Sequence, residues 1–189
     1  MTEAGIHSAE RTYSTTARFF HWLTVLLILT TVPIGFIMTE RGEAGIWDAT
    51  TNFLYSSHKS LGVIILAVVA LRLIYRIFNG APPDEPTLKG LQRVAAHVAH
   101  WSLYGLLIAV PIVGWVATSM FPALDVFGVV KLPALAAPNK AMAEQLFDLH
   151  DVLGKVLLII IAIHFVAALF HHFVLRDGVL RRMWPARKA

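Results

Sequence analysis

Nine histidines and no cysteine stand in a chain of 189 residues. The missing thiols remove disulfides, iron–sulfur clusters, thiolate-ligated haem and covalent c-type haem attachment, so metal chemistry would have to run on imidazole. The most telling histidines lie in residues 147–176, FDLHDVLGKVLLIIIAIHFVAALFHHFVLR. Read as one helix at about 100° per residue, this stretch puts His150, His164 and His171 on one face, because fourteen and seven residues are nearly whole numbers of turns. His150 and His164 are then roughly 21 Å apart along the axis, most of the roughly 30 Å of a bilayer's hydrocarbon layer. Two imidazoles at opposite depths of one apolar helix point to two metal centres stacked across a membrane.

Composition supports the membrane. The chain is 57% hydrophobic and only 15% charged, with a mean hydropathy of +0.65, outside the range of ordinary soluble domains. The net charge of +4 and a pI near 9.6 do not indicate nucleic acid, because the basic residues sit at the ends of apolar runs, where anionic lipid and topology explain them. Residues 1–16 are polar, are expected to be mobile, and lack the pattern of a cleaved signal peptide, so the first apolar run is expected to stay as an anchor.

The elements that must carry the histidines follow from the apolar runs. Four spans are predicted at about 17–39, 54–78, 91–119 and 147–175, making one membrane domain over 1–189. Ser14, Thr15 and Thr16 are placed to cap the first, Pro33 and Gly35 are tolerable within it, and Pro111 predicts a kink in the third. The segment 78–90, FNGAPPDEPTLKG, with three prolines and Asp84 and Glu85, reads as a turn rather than a span. Residues 121–146, broken by Pro122, Pro133 and Pro138, read as an interfacial cap with one short helix near Lys140–Phe147. The fold expected is an all-α integral membrane protein, a four-transmembrane-helix bundle.

Four spans put both termini on one side. That side then holds eleven of the sixteen Lys and Arg, namely Arg11, Arg18, Arg72, Arg76, Lys89, Arg93, Arg176, Arg181, Arg182, Arg187 and Lys188, against Arg41, Lys59, Lys131, Lys140 and Lys155 opposite. The positive-inside rule makes the termini cytoplasmic, which places His58 and His150 near the outer face and His21 near the inner one.

Depth can be checked by register. If His58 and His150 are level, the distances to the inner-end arginines are 18 residues (to Arg76) and 26 residues (to Arg176), so the last span overhangs by 8. If His21 and His164 are level, the distances are 3 (from Arg18) and 12 (to Arg176), an overhang of 9. Two pairings ask for the same offset, roughly 12–13 Å.

An ionisable side chain within a membrane span is a functional hypothesis by default. Two neutral imidazoles facing each other without a carboxylate or thiolate suit a six-coordinate haem iron better than zinc, whose structural sites take four protein ligands. His58-Lys-Ser-Leu-Gly62 and His150-Asp-Val-Leu-Gly154 each place a glycine four residues on, over the histidine's own face, where a flat macrocycle needs room; close helix packing is the competing explanation. His97 and His100, 4 and 7 residues beyond Arg93, lie near the inner level and stay open as replacement ligands. Arg72, fourteen residues from His58, shares its face, and a buried guanidinium there calls for an anion such as a haem propionate, unless it snorkels. Trp22, Trp115 and Phe165 read as packing or interfacial residues, and Met38, Met120, Met142 and Met183 as structural.

RFFHWL at 18–23, SSHKSLG at 56–62, LRLIYR at 71–76, AHVAHWSLYGLL at 96–107, PIVGW at 111–115 and HDVLG with IHFVAALFHHF across 150–173 together resemble the bacterial cytochrome b561 family, small four-helix dihaem b cytochromes of the inner membrane. The resemblance covers nearly all of residues 14–185. It implies two haem b groups, an inner one on His21 and His164 and an outer one on His58 and His150, and it associates His171 with a quinone site. It further implies transfer of electrons from superoxide at the outer face to ubiquinone near the inner one, with Lys59 beside His58 placed to attract a small anion among the carboxylates of that surface. The alternative is a cytochrome b anchor subunit passing electrons between a partner dehydrogenase or hydrogenase and the quinone pool. Partners expected are membrane lipid, quinone, and superoxide or a redox protein; nucleic acid is not among them. The location implied is the bacterial inner membrane, crossed several times.

Overall fold

The computed structural model describes residues 12–184; Arg11, Arg187 and Lys188 lie outside the described residues. Four long helices form: α1 over Thr15–Glu43, α2 over Ala49–Asn79, α3 over Leu91–Met120 and α4 over Lys140–Phe170. Each is long and apolar enough to cross a membrane. Side-chain caps start three of them. Ser14 Oγ accepts from Ala17 N (3.2 Å), the Asp48 carboxylate from Thr51 N (2.8 Å), and Asn139 Oδ1 from Met142 N (3.2 Å), each satisfying one donor of a first turn. Gly80, at φ 72°, ends α2 in a conformation open to glycine.

The Asn139 cap corrects one expectation. The short helix expected near Lys140–Phe147 is not separate but forms the first two turns of α4, and the cap between α3 and α4 shrinks to 121–139. Asp125–Val126 (β1) and Val130–Lys131 (β2) pair there as a small antiparallel hairpin. It is strapped to α2 by Phe127 N donating to Ser56 Oγ (3.2 Å) and by the Lys59 ammonium donating to Ala123 O (2.9 Å) and Asp125 O.

Helix α1 packs on α2 and α3 on α4, with α2 joining the two pairs through α3. The first and last described residues and the 80–90 loop lie at one end, called the termini-bearing end, and the hairpin and the 44–48 turn at the other. The outward faces are apolar: Leu29 is 66% exposed and Ile159 60%, as helices in lipid require. Several hydroxyls in the spans turn back on their own helix, among them Thr24 Oγ1 to Phe20 O and Thr118 Oγ1 to Gly114 O, both 2.7 Å. The buried core is a band of Ile65, Val69, Tyr104, Leu107 and Leu157. Leu157 stands midway between His150 and His164, so tight packing sits at mid-depth, with a histidine level to either side.

The last span runs to Leu175, where its end was expected, but its final turn is not α-helical. At His171–Leu175 it widens into a π turn, and Arg176 adopts a left-handed conformation (φ 54°). The chain then folds back over the termini-bearing end, where Trp22 Nε1 donates to Met183 O and Arg18 to Trp184 O, both 2.9 Å.

Candidate functional site

At the hairpin end, His58 from α2 and His150 from α4 face each other with ring centres 6.0 Å apart and planes at 81°. Their Nδ1 atoms are taken by backbone: His58 by Thr31 O of α1 (3.3 Å) and His150 by Val110 O of α3 (2.9 Å). A carbonyl only accepts, so each Nδ1 carries the proton and each Nε2 keeps its lone pair. This is the arrangement of metal-ligating imidazoles, whose second nitrogen is commonly held by a carbonyl. Two metal–nitrogen bonds of about 2 Å to one ion also put imidazole centres about 6 Å apart.

The glycines that seat these rings were not among those singled out from the sequence. A Cβ on Gly35 would lie 3.0 Å from His58 Cε1, and one on Gly114 would lie 2.9 Å from His150 Nδ1. Gly35 and Gly114 stand four residues beyond the accepting carbonyls of Thr31 and Val110, one turn along the same helices. Each ring therefore lies against a side-chain-free turn that also holds its hydrogen bond. Gly62 and Gly154, by contrast, would meet nothing within 4 Å if given a Cβ. They border open space rather than a close helix contact.

The other level is built differently. His21 (α1), Arg72 (α2), His100 (α3) and His164 (α4) gather there. The rings of His100 and His164 are 5.4 Å apart, and Arg72 Nη2 lies 3.1 Å from His21 Nδ1. Guanidinium only donates, so this contact leaves the lone pair of His21 on Nδ1 and its proton on Nε2, the opposite tautomer from the outer pair. Arg72 does not snorkel outward; its guanidinium also lies 5.3 Å from the Tyr104 ring centre, a cation–π contact. For His21 to offer Nε2 to a metal, Arg72 must turn to another acceptor, and a buried guanidinium takes an anion.

Among the described residues, no three His, Asp or Glu side chains converge on one point that could hold a metal ion. Each level would give two imidazole ligands, the number that a six-coordinate haem iron takes from its protein. The donor set fits haem and not a structural zinc. Residues 12–186 match the profile described as prokaryotic cytochrome b561. The chain belongs to that family. It is 29% identical over 172 residues to "Cytochrome b561 homolog 2" of Escherichia coli K12, covering 90% of each chain. It is 31% identical over 179 residues to "Probable superoxide oxidase CybB" of Yersinia pestis, covering 89% of this chain and 93% of that one, and 27% identical to "Cytochrome b561 homolog 1" of E. coli K12 over 176 residues. As a cytochrome b561, the protein is a bacterial membrane protein that binds b-type haem and transfers electrons.

The remaining predicted positions have definite places. His97 is surface-bound, with Nε2 3.1 Å from Asp84 Oδ2, which also pairs with Arg93 at 3.4 Å; this removes it from the ligand candidates. The Asp84 carboxyl is held below the ordinary carboxylate range, chiefly by the His97 hydrogen bond. Lys59 adjoins His58, but its ammonium is engaged with two carbonyls of the hairpin strap. Its charge is local to the outer level, while its donors hold the cap. His171 lies in the π turn with Nδ1 2.5 Å from Asp177 Oδ2. Asp177, in an Asp-Gly pair that reads as an ordinary turn, gave no sign of this role in the sequence.

Proposed function

We propose that the protein carries electrons from superoxide at the hairpin end to ubiquinone at the termini-bearing end through two bis-histidine b-type haems. His58 and His150 would hold the outer haem and His21 and His164 the inner one, with the termini cytoplasmic. The observation that carries this reading is the facing pair of imidazoles, each with Nδ1–H fixed on a carbonyl of a neighbouring helix and Nε2 free. When bound, haem would supply one-electron carriers, and two histidine ligands at each centre would favour electron transfer over oxygen binding.

The chain's own residues do the rest. The backbone of α1 and α3 sets the tautomers of His58 and His150. The Ile65, Val69, Leu107 and Leu157 band separates the two levels with dry apolar packing, and Gly62 and Gly154 leave room beside the outer histidines. Arg72 supplies a cation for a haem carboxylate at the inner level. His171, seven residues beyond His164 on the same helix, would meet the quinone. The name of the Y. pestis relative supports superoxide as donor. Among the described residues, eight basic side chains stand at the termini-bearing end against five opposite, which supports cytoplasmic termini.

The test is rapid mixing of the purified, oxidised, haem-loaded protein with superoxide. Absorbance of reduced b-type haem should rise faster than superoxide dismutates by itself. A rise no faster than dismutation would remove superoxide and leave a partner protein as donor.

A further inference from the structure

Two residues past the π turn stands an aspartate, Asp177, that the electron path does not use. Asp177 has a side chain only 2% exposed and bonds through both carboxylate oxygens. Oδ2 accepts from His171 Nδ1 (2.5 Å) and Thr87 Oγ1 (3.2 Å), and Oδ1 accepts from Val179 N (3.0 Å). The backbone is bent to bring it there. Arg176 takes a left-handed conformation, uncommon for a residue with a side chain, and both Arg176 N and Asp177 N donate to His171 O. Three segments thus converge on one carboxylate: the end of α4, the return chain 177–179 and the 80–90 loop. Single-turn π segments in helices, and residues held in sparsely populated backbone conformations, are each enriched at functional sites.

We propose that Asp177, held by Thr87, is a positioning residue that fixes His171 as the proton donor to quinone. This rests on the quinone reading of His171 above. An ionised carboxylate on Nδ1–H directs Nε2 toward the ligand and stabilises the imidazolium, as a carboxylate does for a catalytic histidine. Burial works against ionisation of Asp177, but the bonds from His171, Val179 N and Thr87 outweigh it and hold the carboxyl below its ordinary range. Reduction of one ubiquinone takes two electrons, from the outer donor through the protein, and two protons. His171 gives one: the Nε2–H bond breaks as an O–H bond forms on a quinone oxygen, and Nε2 regains a proton from water at the termini-bearing end; the other quinone oxygen takes the second proton from that same water. Other charged or titratable groups close by are Glu85, whose oxygens lie 3.1 Å from where a Gly178 Cβ would stand, its partner Arg182 at 3.6 Å, Arg176 and His172.

The experiment uses full-length, haem-loaded protein, reduced without oxygen and mixed with a short-chain ubiquinone, following haem oxidation against pH. His171→Ala should slow oxidation by about 100-fold, the lower range for loss of a general acid. Asp177→Asn should slow it about tenfold, as loss of an orienting partner does, and move the alkaline fall-off of the rate to lower pH, because the imidazolium has lost its counter-charge. Asp177→Glu should restore the profile. Unchanged kinetics in His171→Ala would overturn the quinone reading and the proposal together. A slow His171→Ala beside a wild-type rate and profile in Asp177→Asn would overturn the role of Asp177 alone. If Asp177→Asn does not fold, Thr87→Val decides: haem retained with a smaller shift in the same direction supports the proposal, and an unshifted profile overturns it.

Discussion

The outer and inner histidine levels use the same residue type under opposite local chemistry. At the outer level both Nδ1 atoms face main-chain carbonyls, and glycines remove the side chains that would crowd the rings. At the inner level His21 faces a guanidinium and His164 lies beside a third histidine. Backbone acceptors are fixed by the fold, so the rings of His58 and His150 are set by the polypeptide itself. The ring of His21 depends on where one long, charged side chain points. A centre built on backbone is preorganised, whereas one built on Arg72 must be completed by an anion.

The largest effect should come from the seats of the outer rings. Gly114→Val or Gly35→Val would push the imidazole off its carbonyl. Haem affinity at the outer level should fall by about 10–100-fold, as loss of an orienting partner does, with the inner level intact. Titration of haem into the haem-free protein would read this as loss of one of two binding steps. Full binding at both levels would show that the seats are incidental.

Arg72→Leu should do the reverse at similar scale. Losing a charge-assisted hydrogen bond of about 1.5–3 kcal/mol should weaken the inner step and spare the outer one. Equal weakening of both would erase the contrast between the levels.

Lys59→Met sharpens the outer half. Because its ammonium is bonded to Ala123 O and Asp125 O, the change should raise hydrogen exchange across residues 121–131. It should slow the superoxide reaction by less than the roughly tenfold that even modest steering supplies. A larger fall in rate with the hairpin unchanged would restore Lys59 as the attracting charge.

The smallest effect should come from acid. The Asp177 carboxyl is depressed in the folded protein, so the stability it contributes is complete above the ordinary carboxylate value of about 3.9 and is lost as pH falls through its lower folded value. Exchange protection of residues 176–184 should drop in that window, before the outer level responds.

Much of this was legible in the sequence because bilayer thickness and helical pitch are fixed lengths. Spacings of fourteen and seven residues put His150, His164 and His171 on one helix face, and overhangs of 8 and 9 residues set His58 level with His150, which the structure brings face to face. What escaped was carried by groups without a residue signature. The carbonyls of Thr31 and Val110 look like any others, so Gly35 and Gly114 read as packing or tolerance rather than as seats. Asp177 was hidden because an Asp-Gly pair normally makes a turn, and its partnership with His171 requires the left-handed Arg176. The start of α4 was misplaced by seven residues because Pro138 was read as a break, when Pro138-Asn139 is also a helix-start signal.

The pairing of the histidines is tested most directly by a pyridine haemochrome count on purified protein and on single alanine variants. Two b-type haems per chain are expected, falling to one in His58→Ala and in His150→Ala, with the same haem lost in both. No haem or one haem in the unaltered protein, or different haems lost in those two variants, would contradict it.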